Sequence, residues 1–143
     1  MTYKLNAMQQ IQPPPATSVT HEHILSVLNT ELGTRSQVQQ VRILDAGCGS
    51  GKMLLYLYQS LTRLWPEIEF EVFGFDVGDH KTQAEGFFDS GLQMLEAEAP
   101  EYNWRGALHL IKQGEPWPFP DHSFDFIVSN QVLEHIFTRD EFF

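Results

Sequence analysis

Apolar positions recur along this chain at two different periods. Ile24, Val27, Leu28 and Leu32 are spaced to share one helical face, with Thr20 placed to cap the start and Gly33 to mark the stop. Val41 to Leu44 is a short, mostly apolar strand that runs into Asp45-Ala46-Gly47-Cys48-Gly49-Ser50-Gly51. Leu54, Leu57, Leu61 and Leu64 form the stripe of a second helix, which Pro66 ends. Phe70 to Phe75 predicts a second strand, closed by Asp76. From about Lys81 to Ala99 a third helix has Phe88, Leu92 and Leu95 in phase, although Gly86 and Gly91 each cost it about 1 kcal/mol against Ala. Pro100 ends that helix. Ala107 to Ile111 reads as a third strand, Trp117 to His122 as a proline-bearing loop, Phe124 to Ser129 as a fourth strand, and a helix begins near Gln131.

Strands without clean polar alternation, joined mainly by helices, predict an α/β fold with a doubly wound, mainly parallel sheet covered on both faces. Residues 1–19 carry the run Pro13-Pro14-Pro15, which favours extended backbone over helix, and are read as a flexible arm. Residues 20–143 then form one domain, as a chain of 143 residues with 42% hydrophobic content allows. No apolar run is long enough to cross a bilayer, and the first twelve residues lack the apolar core of a secretory signal. The single cysteine, Cys48, excludes an internal disulfide framework and predicts a reducing, cytoplasmic compartment. A formal net charge of -10 repels phosphate backbones, so nucleic acid is not the expected partner. His21 and His23 diverge on a helix, and His80, His109 and His122 lack paired ligands, so no metal is expected.

The candidate chemistry begins at the loop Asp45 to Gly51. Its glycines tolerate positive φ and let a ligand approach the backbone, and the helix that follows offers unpaired N–H groups suited to a carboxylate or phosphate. A phosphate-binding P-loop would need glycine where Ala46 stands and Ser or Thr where Met53 stands, which rejects it despite Gly51-Lys52. The dinucleotide pattern Gly-x-Gly-x-x-Gly would place its third glycine at Lys52. A third pattern, Asp-x-Gly-x-Gly-x-Gly after an apolar strand, fits Val41 to Gly51 at every key position. Cys48 sits where a helix N-terminus can lower a thiol pKa, but a small residue fitting a tight turn is the simpler reading.

On that third pattern the chain resembles the class I S-adenosylmethionine (SAM)-dependent methyltransferases. The resemblance implies a Rossmann-like fold and SAM as cofactor, with Gly47, Cys48, Gly49, Ser50 and Gly51 wrapping its methionine part and Asp45 lying near its ammonium. It assigns Asp76 to the ribose hydroxyls and Val77 to the adenine face. The other reading of Asp76, a cap for the next helix, suits Asp79 better. Gln113-Gly114 follows the third strand, where members often carry an acid that bonds the adenine amino group, and the Gln113 carbonyl can accept that bond.

A second match covers Trp117-Pro118-Phe119-Pro120-Asp121-His122-Ser123-Phe124-Asp125 and the apolar strand after it, ending in Leu133-Glu134-His135. It is similar to the small-molecule methyltransferases of the Leu-Glu-His subgroup and puts Ser129 and Asn130 at the strand tip beside the glycine loop. His135 is the candidate general base, against the simpler reading of a packing or hydrogen-bonding role. The nucleic-acid amino-methylating pattern Asn/Asp-Pro-Pro-aromatic is absent at Ser129-Asn130-Gln131-Val132, which argues against DNA amino groups.

The implied activity is methyl transfer to a small-molecule or lipid- or sugar-like acceptor. A SAM-binding module without catalysis and a nicotinamide-dependent (NAD) oxidoreductase are the alternatives. The resembled fold has seven strands in the order 3-2-1-4-5-7-6, and four are countable here. The chain is therefore expected to be a partial product that stops after strand four. Phe126, Ile127 and Val128 would then lie on an open edge that invites self-association.

Overall fold

The computed structural model describes residues 18–78 and 86–130. Residues 1–17, 79–85 and 131–143, which include most of the N-terminal arm, the start of the third helix, the helix from Gln131, and His135, lie outside them.

Helix α1 spans Val19–Gly33. Its cap is Ser18 and not Thr20: Ser18 is extended, and its Oγ accepts the His21 N–H at 3.2 Å, a bond worth about 1 kcal/mol to a helix start. The helix thus begins inside the stretch assigned to the arm. Its buried face is Leu25, Leu28, Asn29 and Leu32, while Val27 is 47% exposed. Leu25 takes the place expected for Val27, because residues 25, 28, 29 and 32 fall one turn apart around a polar contact. Buried Asn29 accepts the Trp65 indole N–H at 2.9 Å and docks α1 against the end of the next helix.

Strand β1 (Gln40–Ala46) passes through Gly47–Gly51 into helix α2 (Lys52–Leu64), which buries the expected stripe Leu54, Leu57, Leu61 and Leu64. Strand β2 (Glu69–Val77) is parallel to β1 along all of β1, from Gln40 against Glu69 to Ala46 against Phe75. Helix α3 (Phe87–Glu98) buries Gly91, Leu92 and Leu95. A four-residue helix, α4 (Trp104–Ala107), takes in Ala107, so strand β3 begins one residue late, at Leu108–Ile111. β3 pairs with β2 only from Gly74 onward. Just before that point Tyr102 completes the edge: its hydroxyl donates to the Val72 carbonyl at 2.6 Å and accepts the Val72 N–H at 2.8 Å.

Strand β4 (Phe126–Val128) is shorter than the expected Phe124 to Ser129. Asp125 uses its side chain where a ladder residue would use its backbone: Oδ2 accepts the Arg42 N–H, and its own N–H donates to the Arg42 carbonyl, both at 2.9 Å.

The sheet order is β3-β2-β1-β4, all parallel. Right-handed crossovers from β1 to β2 and from β2 to β3 move in one direction and put α2 and α3 on one face, where α1 joins them. The step from β3 to β4 moves the other way and sends residues 112–125 across the opposite face. There Leu44, Ala46 and Phe75 are buried under Trp117, Phe119 and Phe124. Phe75 meets Trp117 with ring centroids 4.9 Å apart, and Phe119 meets Phe124 at 5.1 Å. The winding is double, as expected, but among the described residues the second face is covered by an aromatic loop, not by helices. The direction reverses between β1 and β4, and open α/β sheets bind ligands in the crevice at such a switch.

Candidate functional site at the β1–β4 switch

Four segments reach the carboxyl ends of the strands: Gly47–Gly51 after β1, Asp76-Val77 closing β2, Gln113-Gly114 after β3, and Ser129-Asn130 after β4. The glycine loop is held in detail. The Gly47 and Cys48 N–H groups both donate to the Phe75 carbonyl at 2.9 Å, and the Gly51 N–H closes a turn onto the Cys48 carbonyl at 2.9 Å. Gly47, Gly49 and Gly51 have φ of 86°, 55° and 85°, the left-handed region that side chains disfavour, which is why three glycines alternate here. Gly51 is also the N-cap of α2 and has no side chain to bond the first-turn N–H groups.

The loop is backed by α3. A Cβ on Gly91 would lie 2.6 Å from the Ser50 carbonyl oxygen, so this helix approaches the loop only because residue 91 is glycine. Gly91 is therefore a further member of the site. Its sequence signal was an unexplained glycine inside a helical pattern. Phe87, 40% exposed at the start of α3, places its ring edge 4.0 Å from the Cβ position of Gly49, and no local pattern in the sequence marks it.

Two acids stand on the helix-covered side of the strand tips. Asp76 Oδ2 accepts the Gly49 N–H at 2.6 Å, and Oδ1 accepts the Val77 N–H at 2.7 Å. Asp76 thus reaches across to the glycine loop. Asp45 is only 2% exposed, and its Oδ1 has no hydrogen-bond partner among the described residues. Burial, then the neighbouring Asp76 carboxylate, push the Asp45 carboxyl up to about 8. Cys48 is buried, with its thiol pushed well above the ordinary value by burial and then by Asp45 and Asp76. That is opposite in direction to activation at a helix N-terminus, so the loop presents no thiolate.

The rest of the crevice is less enclosed. Val77 is the exception, a buried residue at 9% exposure. Gln113 and Gly114 are exposed in a turn closed by the Glu115 N–H on the Lys112 carbonyl at 3.0 Å, with Gly114 at φ 86°. Ser129 is exposed and Asn130 half-buried. Among the described residues no group of three His, Cys, Asp or Glu side chains is placed to hold a metal ion, and no helix is long and apolar enough to cross a membrane. A shallow depression of about 400 Å³, lined by Glu96, Pro100, Tyr102, Trp104 and Arg105, contains none of these site residues.

Fold and loop together define a parallel α/β domain with a glycine cradle and two acids at its switch point. A family model described as Methyltransferase domain matches residues 12–138, and the chain belongs to that family. Among solved structures it is similar to YcgJ from Bacillus subtilis, at 21% identity and a TM-score of 0.52, over 85% of this chain and 43% of that one. It is similar to magnesium protoporphyrin IX methyltransferase (ChlM) from Synechocystis PCC 6803 with bound SAM, at 18% identity and TM-score 0.52, over 85% of this chain and 48% of that one. A third is a putative class I SAM-dependent methyltransferase from Listeria monocytogenes, at 18% identity and TM-score 0.54, over 90% of this chain and 36% of that one. The chain spans less than half the length of these three structures. No curated protein matches it at a significant level.

Proposed function

We propose that this domain binds SAM at the β1–β4 switch and forms the donor half of a methyltransferase acting on a small-molecule acceptor. The observation that carries the reading is the Asp45 carboxylate, buried beside a three-glycine cradle with one oxygen unpartnered. A buried acid without a donor is costly unless a ligand supplies N–H groups and positive charge, and the amino-acid end of SAM supplies both. The Ser50 N–H and the first-turn N–H groups of α2, uncapped at Gly51, would hold the ligand carboxylate at the glycine loop, with Asp76 at the ribose, Val77 at the adenine face, and Gln113-Gly114 and Ser129-Asn130 at the outer rim.

SAM supplies a methyl group on a sulfonium, already a good leaving group. This chain's residues then have to align donor and acceptor and exclude water. His135 enters from sequence alone, as the group that would take a proton from an acceptor needing deprotonation. The lone cysteine supports a cytoplasmic setting, and Ile127, 56% exposed on the edge strand β4, supports self-association at that edge.

Calorimetric titration tests the cofactor half. Micromolar to millimolar binding of SAM, with NAD giving neither heat nor thermal protection, is the expected result. Protection by NAD and not by SAM would move the chain to nicotinamide chemistry. Binding without turnover in the presence of added acceptors would favour a non-catalytic module.

A further inference from the structure

We propose that Asp45 holds a proton in the ligand-free domain and releases it to solvent when SAM docks, so that donor binding is linked to pH. The inference rests on SAM being the ligand and adds how the site charges and discharges. Two carboxylates face one short loop here. Asp76 has both oxygens engaged by backbone N–H groups, Gly49 on Oδ2 and Val77 on Oδ1. Asp45 has an unpartnered Oδ1 and 2% exposure, so its ionised form has neither that donor nor water. Like charges at this separation from bulk solvent do not both persist cheaply, and the proton settles on the acid without donors.

Among the described residues, Asp76 from β2 acts on Asp45, and Cys48 from the loop responds to it. Asp76 opposes ionisation of Asp45, and the buried thiol stays protonated and adds no charge. The charged residues at the near ends of the packed helices, Lys52 on α2 and Asp89 on α3, are solvent-exposed. The ion pairs recorded among the described residues join Arg42 to Glu71 and Arg105 to Glu96, so neither neutralises Asp45. An arriving ammonium changes both conditions at once: it donates N–H bonds to the empty lone pairs and brings the opposite charge. Ionisation of Asp45 then becomes favourable, and the displaced proton leaves to buffer. The pKa of the carboxyl, raised to about 8 by burial and then by Asp76, points the same way.

The sign follows from linkage. Because the free site holds more protons than the bound site, SAM affinity increases as pH rises toward about 8, and falls above it as the α-amino group of the donor loses its own proton. Titration of the full chain with SAM at pH 6.5, in phosphate and in Tris, reads the released proton as a difference in apparent enthalpy between buffers. About one proton per SAM is expected, with Kd tightening about ten-fold per pH unit between 6 and 7, where an α-amino group stays protonated. Methylthioadenosine, which lacks the amino-acid end, should bind weakly and release none. Asp45→Asn should bind SAM with equal enthalpy in both buffers and a flat pH profile. Wild-type binding with identical enthalpies in both buffers and a Kd constant from pH 6 to 7.5 would overturn the proton linkage while leaving SAM as the ligand. Absence of any SAM binding would overturn the cofactor assignment and the linkage with it. The two-buffer comparison needs only the wild-type chain, so misfolding of the variant would not weaken it.

Discussion

The inner side of the crevice, at the central strands β1 and β2, and its outer side, at the edge strands β3 and β4, are built to different standards. On the β1–β2 side, a five-residue loop is fixed by paired N–H bonds to the Phe75 carbonyl, a turn onto Cys48, a bond to Asp76, and the close approach of Gly91 to Ser50. On the outer side, after β3 at one edge of the sheet and after β4 at the other, Gln113, Gly114 and Ser129 are exposed and Asn130 is half-buried. Preorganisation of this kind matters most where a ligand's charged end must be desolvated, since polar groups there lose water and need partners already in place. The enclosed side is therefore where affinity for the methyl donor should concentrate. The open side suits the part of a ligand that stays wet, or a neighbour that completes the wall.

Substitutions can break this contrast, and the largest effect should come from Asp76. Asp76→Ala removes the acceptor of the Gly49 N–H and the proposed partner of the ribose hydroxyls. Losing charge-assisted bonds at a partly buried position should weaken SAM binding about 100-fold or more by calorimetry. Asp125→Ala is the control. It removes a carboxylate that also accepts a backbone N–H, that of Arg42, but at the start of β4, away from the strand tips. It should lower the melting temperature and leave SAM affinity within about two-fold, because a single bond of this kind supports the fold by about 1 kcal/mol and touches no ligand.

Gly91→Ala comes next. The added methyl would meet the Ser50 carbonyl oxygen at 2.6 Å, a backbone atom that cannot swing aside. Overpacking of this sort costs about 1–3 kcal/mol, read as a lower urea midpoint, and SAM affinity should fall as Ser50 and Gly51 shift. Gly86→Ala separates packing from backbone strain. Gly86 has φ 78° but nothing within 4 Å of its Cβ position, so that variant should lose about 1 kcal/mol of stability without a change in SAM affinity.

These residues also mark where sequence reasoning succeeds and where it stops. The stripe Leu54-Leu57-Leu61-Leu64 and the acid-glycine loop are local signals, in which spacing and residue type carry the meaning, and they fold as their pattern predicts. The reversal of winding follows from handedness once four parallel strands are placed. By contrast, Gly91 reads locally as a weak point in a helix, and its reason is a contact with a loop 41 residues earlier in the chain. The Tyr102 hydroxyl bonding the edge of β2, and α4 ahead of β3, have no periodic signature. Val27 and Leu25 differ by about half a turn on α1, and composition alone does not tell which of them faces the core. The coupling of Asp45 to Asp76 requires two strand tips to be neighbours, which spacing along the chain does not express.

The stability of the ligand-free domain should carry the mark of Asp45 directly. Its carboxyl is raised from 3.8 to about 8 in the fold, so the folded state holds a proton that the unfolded chain gives up between those values. Stability contributed by this group is full below about pH 4, declines as pH rises through that window, and is constant above it. Asp45→Asn, which mimics the protonated acid in shape, removes the decline. At pH 8.5 it should melt higher than the wild type, by at least about 4 °C, and at pH 4 the two should converge. A variant that melts lower at both values would mean that the carboxylate stabilises the empty fold, and the β1–β2 side would not be a site waiting for a cation.

The smallest effect is expected on the open side, and there the contrast is most exposed to refutation. Gln113 lies in a solvent-exposed turn, and a neutral hydrogen bond formed there contributes about 0.5–1 kcal/mol net, because water competes for both partners. Gln113→Ala should therefore raise the Kd for SAM by no more than about five-fold. Gln113→Glu places an acid where the resembled family often has one and should change Kd by a similar factor toward tighter binding, since a charged acceptor bonds more strongly than a neutral one. The pair can be measured in one titration series beside Asp76→Ala. If Gln113→Ala costs as much as Asp76→Ala, the turn after β3 must close over the ligand into an environment as dry as the glycine loop. The difference between the two sides would then describe the empty domain only, and donor affinity would be spread across the whole crevice.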